Sequence, residues 1–94
     1  MNTEMEWKNY EQSADLLKAL AHPVRLCIVH RLAMGACSNV SCLEQSLGIS
    51  QSSVSQHLAK LRSAGIVTGR RCGNETCYEL SNKQVGRLVR DFFE

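Results

Sequence analysis

Residues 40–65, VSCLEQSLGISQSSVSQHLAKLRSAG, constrain what this chain can fold into more than any other stretch. Leu43, Leu47, Ile49, Val54, Leu58 and Leu61 recur at helical spacing on either side of Leu47-Gly48-Ile49-Ser50, where the glycine permits a sharp change of direction. The pattern predicts two helices joined by a tight turn, a helix-turn-helix. Ser41 and Glu44 fit a capping box, which starts the first helix near Cys42. Ser50 suits the N-cap of the second helix, expected from Gln51 to about Ala64 with Gly65 closing it.

Val54, Leu58 and Leu61 turn one side of that second helix inward. The other side shows Gln51, Ser52, Ser55, Gln56 and Lys60, with Ser50 and Ser53 at its start. Short hydroxyl and amide side chains reach base edges in a DNA major groove without bulk in the way, Gln pairing naturally with adenine and Ser with several partners. His57 borders the packed stripe. It is kept in the DNA-facing set, and its second reading is a hydrogen-bonded structural residue, in preference to a metal ligand.

Upstream, Asn9 and Gln12 look like an N-cap and its reciprocal partner, opening a helix that runs to about Ala21 after a frayed start over residues 1–8. Tyr10, Ala14, Leu17 and Ala21 form an apolar stripe, which Leu16 and Leu20 widen beyond what a surface helix needs. The excess suits a second subunit, and Trp7 belongs to the same seam. His22-Pro23 then ends one helix and starts another, because the residue before proline avoids the helical region while proline suits the first helical position. Val24, Leu26, Cys27, Ile28, Val29 and Leu32 make this next helix the central buried one, with Gly35 at its end.

Beyond the motif, residues 66–80 read as strand, turn at Gly73 to Thr76, and strand. A β-hairpin directly behind a recognition helix is a wing, and Arg70 and Arg71 are placed on it to touch phosphate or a minor groove. Ser81 with Gln84 caps a last helix over 82–93, whose Val85, Leu88, Val89 and Phe92 offer a second dimer seam.

The chain has 94 residues, room for one domain spanning 1–94 and one core. A hydrophobic fraction of 44% with a single proline fits a folded globular chain, and 5% aromatic residues leave little for a base-stacking surface. The net charge of +2 decides nothing, but its distribution does. No acid occurs from Gln45 to Asn74, where Lys60, Arg62, Arg70 and Arg71 lie, whereas the N-terminal end holds Glu4, Glu6, Glu11 and Asp15 against Lys8. A cationic stretch that coincides with a helix-turn-helix favours a phosphate-contacting surface over a merely solvated face. No apolar run reaches membrane-spanning length and the N-terminus lacks a signal-peptide pattern, so a cytoplasmic protein with no membrane partner is expected.

ALAHPVRL at 19–26, LGISQSSVSQHLAKLRSAGIV at 47–67 and the wing ending in YEL at 78–80 closely resemble the ArsR/SmtB family of winged-helix bacterial repressors, over about Ser13 to Phe93. The resemblance implies a mainly α fold of about five helices with a small two-stranded wing, assembled as a homodimer through the first and last helices. It implies a transcriptional repressor, not an enzyme. Residues 51–64 would read the major groove of double-stranded DNA at an inverted-repeat operator, and an inducer, often a metal or metalloid ion, would release it. Two known sensing sites of the family are not reproduced. Its CVCD motif would fall on Asn39, Val40, Ser41 and Cys42, where both thiols are missing, and its zinc-type site would begin at Asn82 and Gln84, neither a good zinc ligand.

Five cysteines, an odd number, argue against a secreted disulfide framework. Cys27 lies in an apolar run as a small core residue. Cys37 and Cys42 form one close pair and Cys72 and Cys77 another. In the first turn of a helix, Cys42 would lie beside the positive dipole end, which stabilises a thiolate. Across a loop of residues 73–76, Cys72 and Cys77 would sit opposite each other, within reach of a cross-strand disulfide. In winged helices the connector before the motif runs beside the returning wing strand, which would also bring Cys37 or Cys42 towards Cys77.

Three readings stay open. The pairs toggle between dithiol and disulfide, or their thiolates bind a soft ion such as Zn, Cu, As or Hg, or the thiols are incidental. A small thiol-disulfide oxidoreductase is the competing class, and the lack of a C-x-x-C or a βαβ pattern speaks against it.

Overall fold

The structure, a computed structural model, describes residues 4–36 and 39–94. The elements follow in the order α1 (Glu4–Leu20), α2 (Pro23–Ala33), α3 (Val40–Leu47), α4 (Gln51–Ser63), β1 (Val67–Cys72), β2 (Glu75–Leu80) and α5 (Lys83–Phe92). This is the expected mainly α chain with a two-stranded wing.

The boundaries show where local chemistry decided and where packing did. α1 begins upstream of Asn9, which lies inside the helix and does not cap it; Glu and Met, which open the helix, are strong helix formers. α2 starts at Pro23 as expected, and the His22 Nδ1 accepts the Val24 N–H at 3.1 Å. α3 is capped by Asn39 instead of Ser41, its Oδ1 accepting the Cys42 N–H at 2.7 Å. Both residues are good caps on their own. What favours Asn39 is that it also bridges Cys77 of the wing, and that a start at Val40 sets Val40, Leu43 and Leu47 against the core together. At α5 the cap is Asn82, accepting from the Val85 N–H at 3.0 Å, because the Ser81 hydroxyl is spent on the Gly65 carbonyl at 2.9 Å.

The turn of the motif depends on Gly48, which closes α3 in the left-handed region at φ 68°, a conformation that costs other residues strain. Ser50 then caps α4, its Oγ accepting the Ser53 N–H at 3.1 Å. α4 ends with the Ile66 N–H on the Leu61 carbonyl and the Gly65 N–H on that of Arg62, a Schellman closure.

β1 and β2 pair antiparallel with Val67 opposite Leu80 and Cys72 opposite Glu75, so the connecting loop is Gly73-Asn74 alone and not Gly73 to Thr76. Gly73 takes φ 67° at the first central position, as a two-residue hairpin loop of type II′ requires.

Leu20, Ile28, Val29, Leu43, Val54, Leu58, Leu61, Ile66, Val67, Val85 and Val89 are buried together, with contributions from every helix and from the base of the wing. α2 touches α1, α4, α5 and β2, which makes it the central helix that its apolar run predicted. Because Val54, Leu58 and Leu61 anchor α4 in this core, the opposite side of α4 is presented outward in a fixed orientation. No helix among the described residues is long and apolar enough to cross a membrane.

Candidate nucleic-acid interface

Gln51, Ser52, Ser55, Gln56 and Lys60 are all exposed on α4, while Ser53 and His57 are half-buried at its flank. Ser50 is exposed but engaged, since its Oγ both accepts from the Ser53 backbone and donates to the Ser53 hydroxyl at 3.2 Å. The open face therefore presents amides and hydroxyls with their hydrogen-bonding capacity unspent, bordered by one lysine.

The two arginines of the wing diverge. Side chains alternate across a strand, so the register puts Arg71 on the hairpin face that carries buried Val67 and half-buried Tyr78, and Arg70 on the other face, opposite Cys77. Arg71 consequently joins Gln51, Ser55, Asn74 and Thr76, with the Glu75 carboxylate also on the rim, around an open cleft of about 380 Å³ between the wing and the start of α4. Gly69, paired with Tyr78, leaves room for that ring on the same face; a Cβ there would stand 3.0 Å from the Tyr78 ring and 3.2 Å from the Thr76 methyl. Arg70 is exposed and outside that cleft.

His57 is turned towards α2. Its Nδ1 lies 3.2 Å from Arg25 Nη1, and its ring centroid is 4.5 Å from that of His22. A guanidinium can only donate, so Nδ1 accepts and the imidazole is neutral with its proton on Nε2. Burial holds the His57 pKa below its ordinary value of 6.5, and the neighbouring charges of His22, Arg25 and Lys60 add to the effect. The folded state thus prefers the neutral ring, and an unfolded chain takes up the proton first as pH falls. The stability from this group is fully present above pH 6.5 and is lost as pH drops through the lowered folded value. Urea unfolding over a pH series checks this: wild-type stability should fall below pH 6.5 more steeply than that of His57→Gln. Sequence reasoning missed Arg25, which also donates from Nε to the Ala19 carbonyl at 2.6 Å and so ties the end of α1 to α2. The bond spans different elements, and no local pattern announces it.

The cysteines fall differently from expectation. Cys37 lies outside the described residues. Cys42 is half-buried in the first turn of α3 and is disulfide-bonded, so the structure does not hold the thiolate expected there. Cys72 pairs with Glu75 and Cys77 with Arg70, because the shorter loop shifts the register. The two are not opposite each other, and both carry thiols, as does Cys27. Asn39 does bridge Cys77, which puts the connector beside the returning wing strand as anticipated. Among the described residues no three His, Cys, Asp or Glu side chains gather as a metal site.

The apolar excess of α1 is on the surface. Leu17 is 52% exposed, Leu88 40% and Phe92 72%, and they rim a depression of about 190 Å³ between α1, α2 and α5, floored by Leu20, Leu26 and Val89. Nearer the start of α1, Trp7 and Tyr10 are exposed too, with ring centroids 6.3 Å apart. Large apolar side chains left exposed around an apolar depression are what an interaction surface looks like.

Comparison with known proteins agrees with this geometry. A helix-turn-helix domain model matches residues 20–70. The transcriptional repressor PagR of Bacillus anthracis is 38% identical over 93% of this chain and 87% of its own length, and its crystal structure superposes with a TM-score of 0.83 over 93% of this chain and 99% of that one. The transcriptional repressor SmtB of Mycobacterium tuberculosis is 41% identical over 86% of this chain and 59% of its own. A solution structure from Mycobacterium bovis, described as the homodimeric winged helix-turn-helix DNA-binding domain of a possible ArsR-family regulator, is 28% identical with a TM-score of 0.84, covering 97% of this chain and 83% of that one.

Proposed function

Because this chain belongs to the ArsR/SmtB family of winged helix-turn-helix transcriptional repressors, we propose that it binds an inverted-repeat operator as a homodimer in the cytoplasm. It acts there as a repressor and not as an enzyme. One observation carries this reading: the polar face of α4 and Arg71 of the wing open onto the same side and share a cleft. α4 enters the major groove, where Gln51, Ser52, Ser55 and Gln56 meet base edges, while Arg71 and Lys60 meet phosphates. The exposed apolar surfaces of α1 and α5 pair with those of a second copy. A two-fold axis between them repeats α4 in inverted orientation, with half-sites about 10 base pairs apart, one helical turn of DNA.

The test compares two variants on duplexes selected for binding. Gln56→Ala should cost about 1–3 kcal/mol at particular base positions and relax the preference there, whereas Arg71→Ala should weaken all sequences alike and reduce the salt slope by about 1 for each subunit bound. Unchanged affinity in both would remove the assigned DNA surface.

The inducer reading favoured by the Cys42 disulfide is a thiol switch. Two thiols become a disulfide by giving up two protons and two electrons to an oxidant such as a peroxide, which is reduced to water. Cys42 lies in the first turn of α3, next to the Asn39 bridge to the wing, so opening or closing its disulfide acts on the cleft that holds Arg71. Operator affinity measured with peroxide and with dithiothreitol should differ for the wild type and coincide for Cys42→Ser; equal wild-type affinities would rule the switch out.

A further inference from the structure

A second cleft opens at the other end of the recognition helix. Lys18 and Ala19 of α1, Arg25 of α2, and Ala59, Lys60 and Ser63 of α4 line an open space of about 440 Å³. Three of these residues are cations and none is an acid. Arg25 does not swing freely there, because its Nε is held on the Ala19 carbonyl at 2.6 Å and its Nη1 on His57 at 3.2 Å, leaving the outer N–H groups of a fixed guanidinium unspent. The unneutralised positive charge registers nearby, since Arg25 and Lys60 both contribute to lowering the pKa of His57.

The position of the cleft says what anion it meets. Ala59 and Ser63 continue the helical face of Ser52, Ser55 and Gln56, so the cleft runs on from the base-reading surface without a break. The wing cleft centres on Gln51 and Ser55, at the opposite end of α4. Roughly eight residues of helix separate the two, about 12 Å of rise. The major groove of B-DNA is about 12 Å wide and is edged by phosphates on both rims.

We propose that the cleft of Lys18, Arg25 and Lys60 is a second phosphate-contact site, taking a phosphodiester of the DNA backbone on the groove rim opposite the one met by Arg71. The proposal rests on α4 being the DNA reader. It adds Lys18 and Arg25, from outside the helix-turn-helix and wing, to the residues that fix the protein on the duplex. A guanidinium held in one plane beside two ammonium groups suits the oxygens of a phosphate, and such contacts set orientation without reading sequence.

Lys18 gives the cleanest test, because it is exposed in the last turn of α1, so Lys18→Gln should leave the fold intact. Affinity for a selected duplex and for an unrelated one is measured over a range of potassium chloride concentrations, with Lys83→Gln on α5 as control. The salt slope of Lys18→Gln should fall in magnitude by about 1.8 per dimer, the counterion release of ~0.9 lost with one phosphate contact in each of the two subunits. Both duplexes should weaken by the same factor, with base preference unchanged and the control at the wild-type slope. A wild-type slope for Lys18→Gln, while Gln56→Ala still alters base preference, would show that the cleft does not meet DNA. If Gln56→Ala also changed nothing, the reading of α4 itself would fall. Binding of inorganic phosphate at Lys18 without DNA, seen by NMR together with an unchanged slope, would assign the cleft to a small phosphoryl ligand and overturn the DNA role.

Discussion

Leu88→Glu should turn a dimer into a monomer and reduce operator affinity by several orders of magnitude, while the subunit keeps its fold. Leu88 is 40% exposed at the rim of the apolar depression between α1, α2 and α5, so in an isolated subunit a glutamate there reaches water at little cost. Against a second copy the same carboxylate would be enclosed by Leu17, Phe92 and their counterparts. Enclosing an unpaired charge costs several kcal/mol, and the two-fold symmetry applies the penalty twice. A monomer then holds a single half-site and loses the gain from binding two at once. Sedimentation velocity, far-UV circular dichroism and operator titration read the three parts separately. A variant that still sediments as a dimer would show that α1 and α5 do not make the interface.

Leu58→Ala carries the second large effect, this time on folding. Leu58 is 1% exposed on the inner stripe of α4 and packs in the core cluster to which every helix contributes. Truncating a leucine at such a site costs about 2–5 kcal/mol, through lost burial and the cavity left behind. For a small domain whose whole stability is about 5–15 kcal/mol, that is a large share. Urea denaturation should show the midpoint falling with little change in slope. Ala59→Ser, one residue along on the exposed side, should stay within about 0.5 kcal/mol of wild type. Similar losses for both would mean that the inner and outer faces of α4 have been assigned wrongly.

The motif was legible because its signals are local. Gly48 must take a left-handed turn, Ser50 must cap, and the 54, 58, 61 stripe must face one way; each follows from side chains a few residues apart. Where two local signals were equally good, tertiary contacts decided. Ser41 and Asn39 both cap well, and the bridge from Asn39 to Cys77 settled the matter; Ser81 and Asn82 differed only in that Ser81 is engaged by Gly65. The wing illustrates the cost of a small error in loop length. Counting the loop as Gly73 to Thr76 set Cys72 against Cys77, whereas the loop Gly73-Asn74 sets Cys77 against Arg70 and removes the cross-strand pair.

Site residues divide in the same way. The exposed polar set on α4 could be read from periodicity alone, since burial on one face implies exposure on the other. The divergence of Arg70 and Arg71 needed the strand register. Arg25 could not be found from spacing, because its bonds to Ala19 and His57 join α1, α2 and α4, which only the fold brings together. Lys18 is similar: at the end of α1 it looks like an ordinary solvated lysine until α4 is placed beside it.

The most direct test of α4 as the reading element of a symmetric dimer is selection from a random pool of DNA duplexes with the purified protein. The expected outcome is enrichment of two inverted half-sites whose centres lie about 10–10.5 base pairs apart, with Gln56→Ala relaxing one base position in each half-site and leaving their spacing unchanged. Enrichment of no sequence, or of a single site without inverted symmetry, would contradict it.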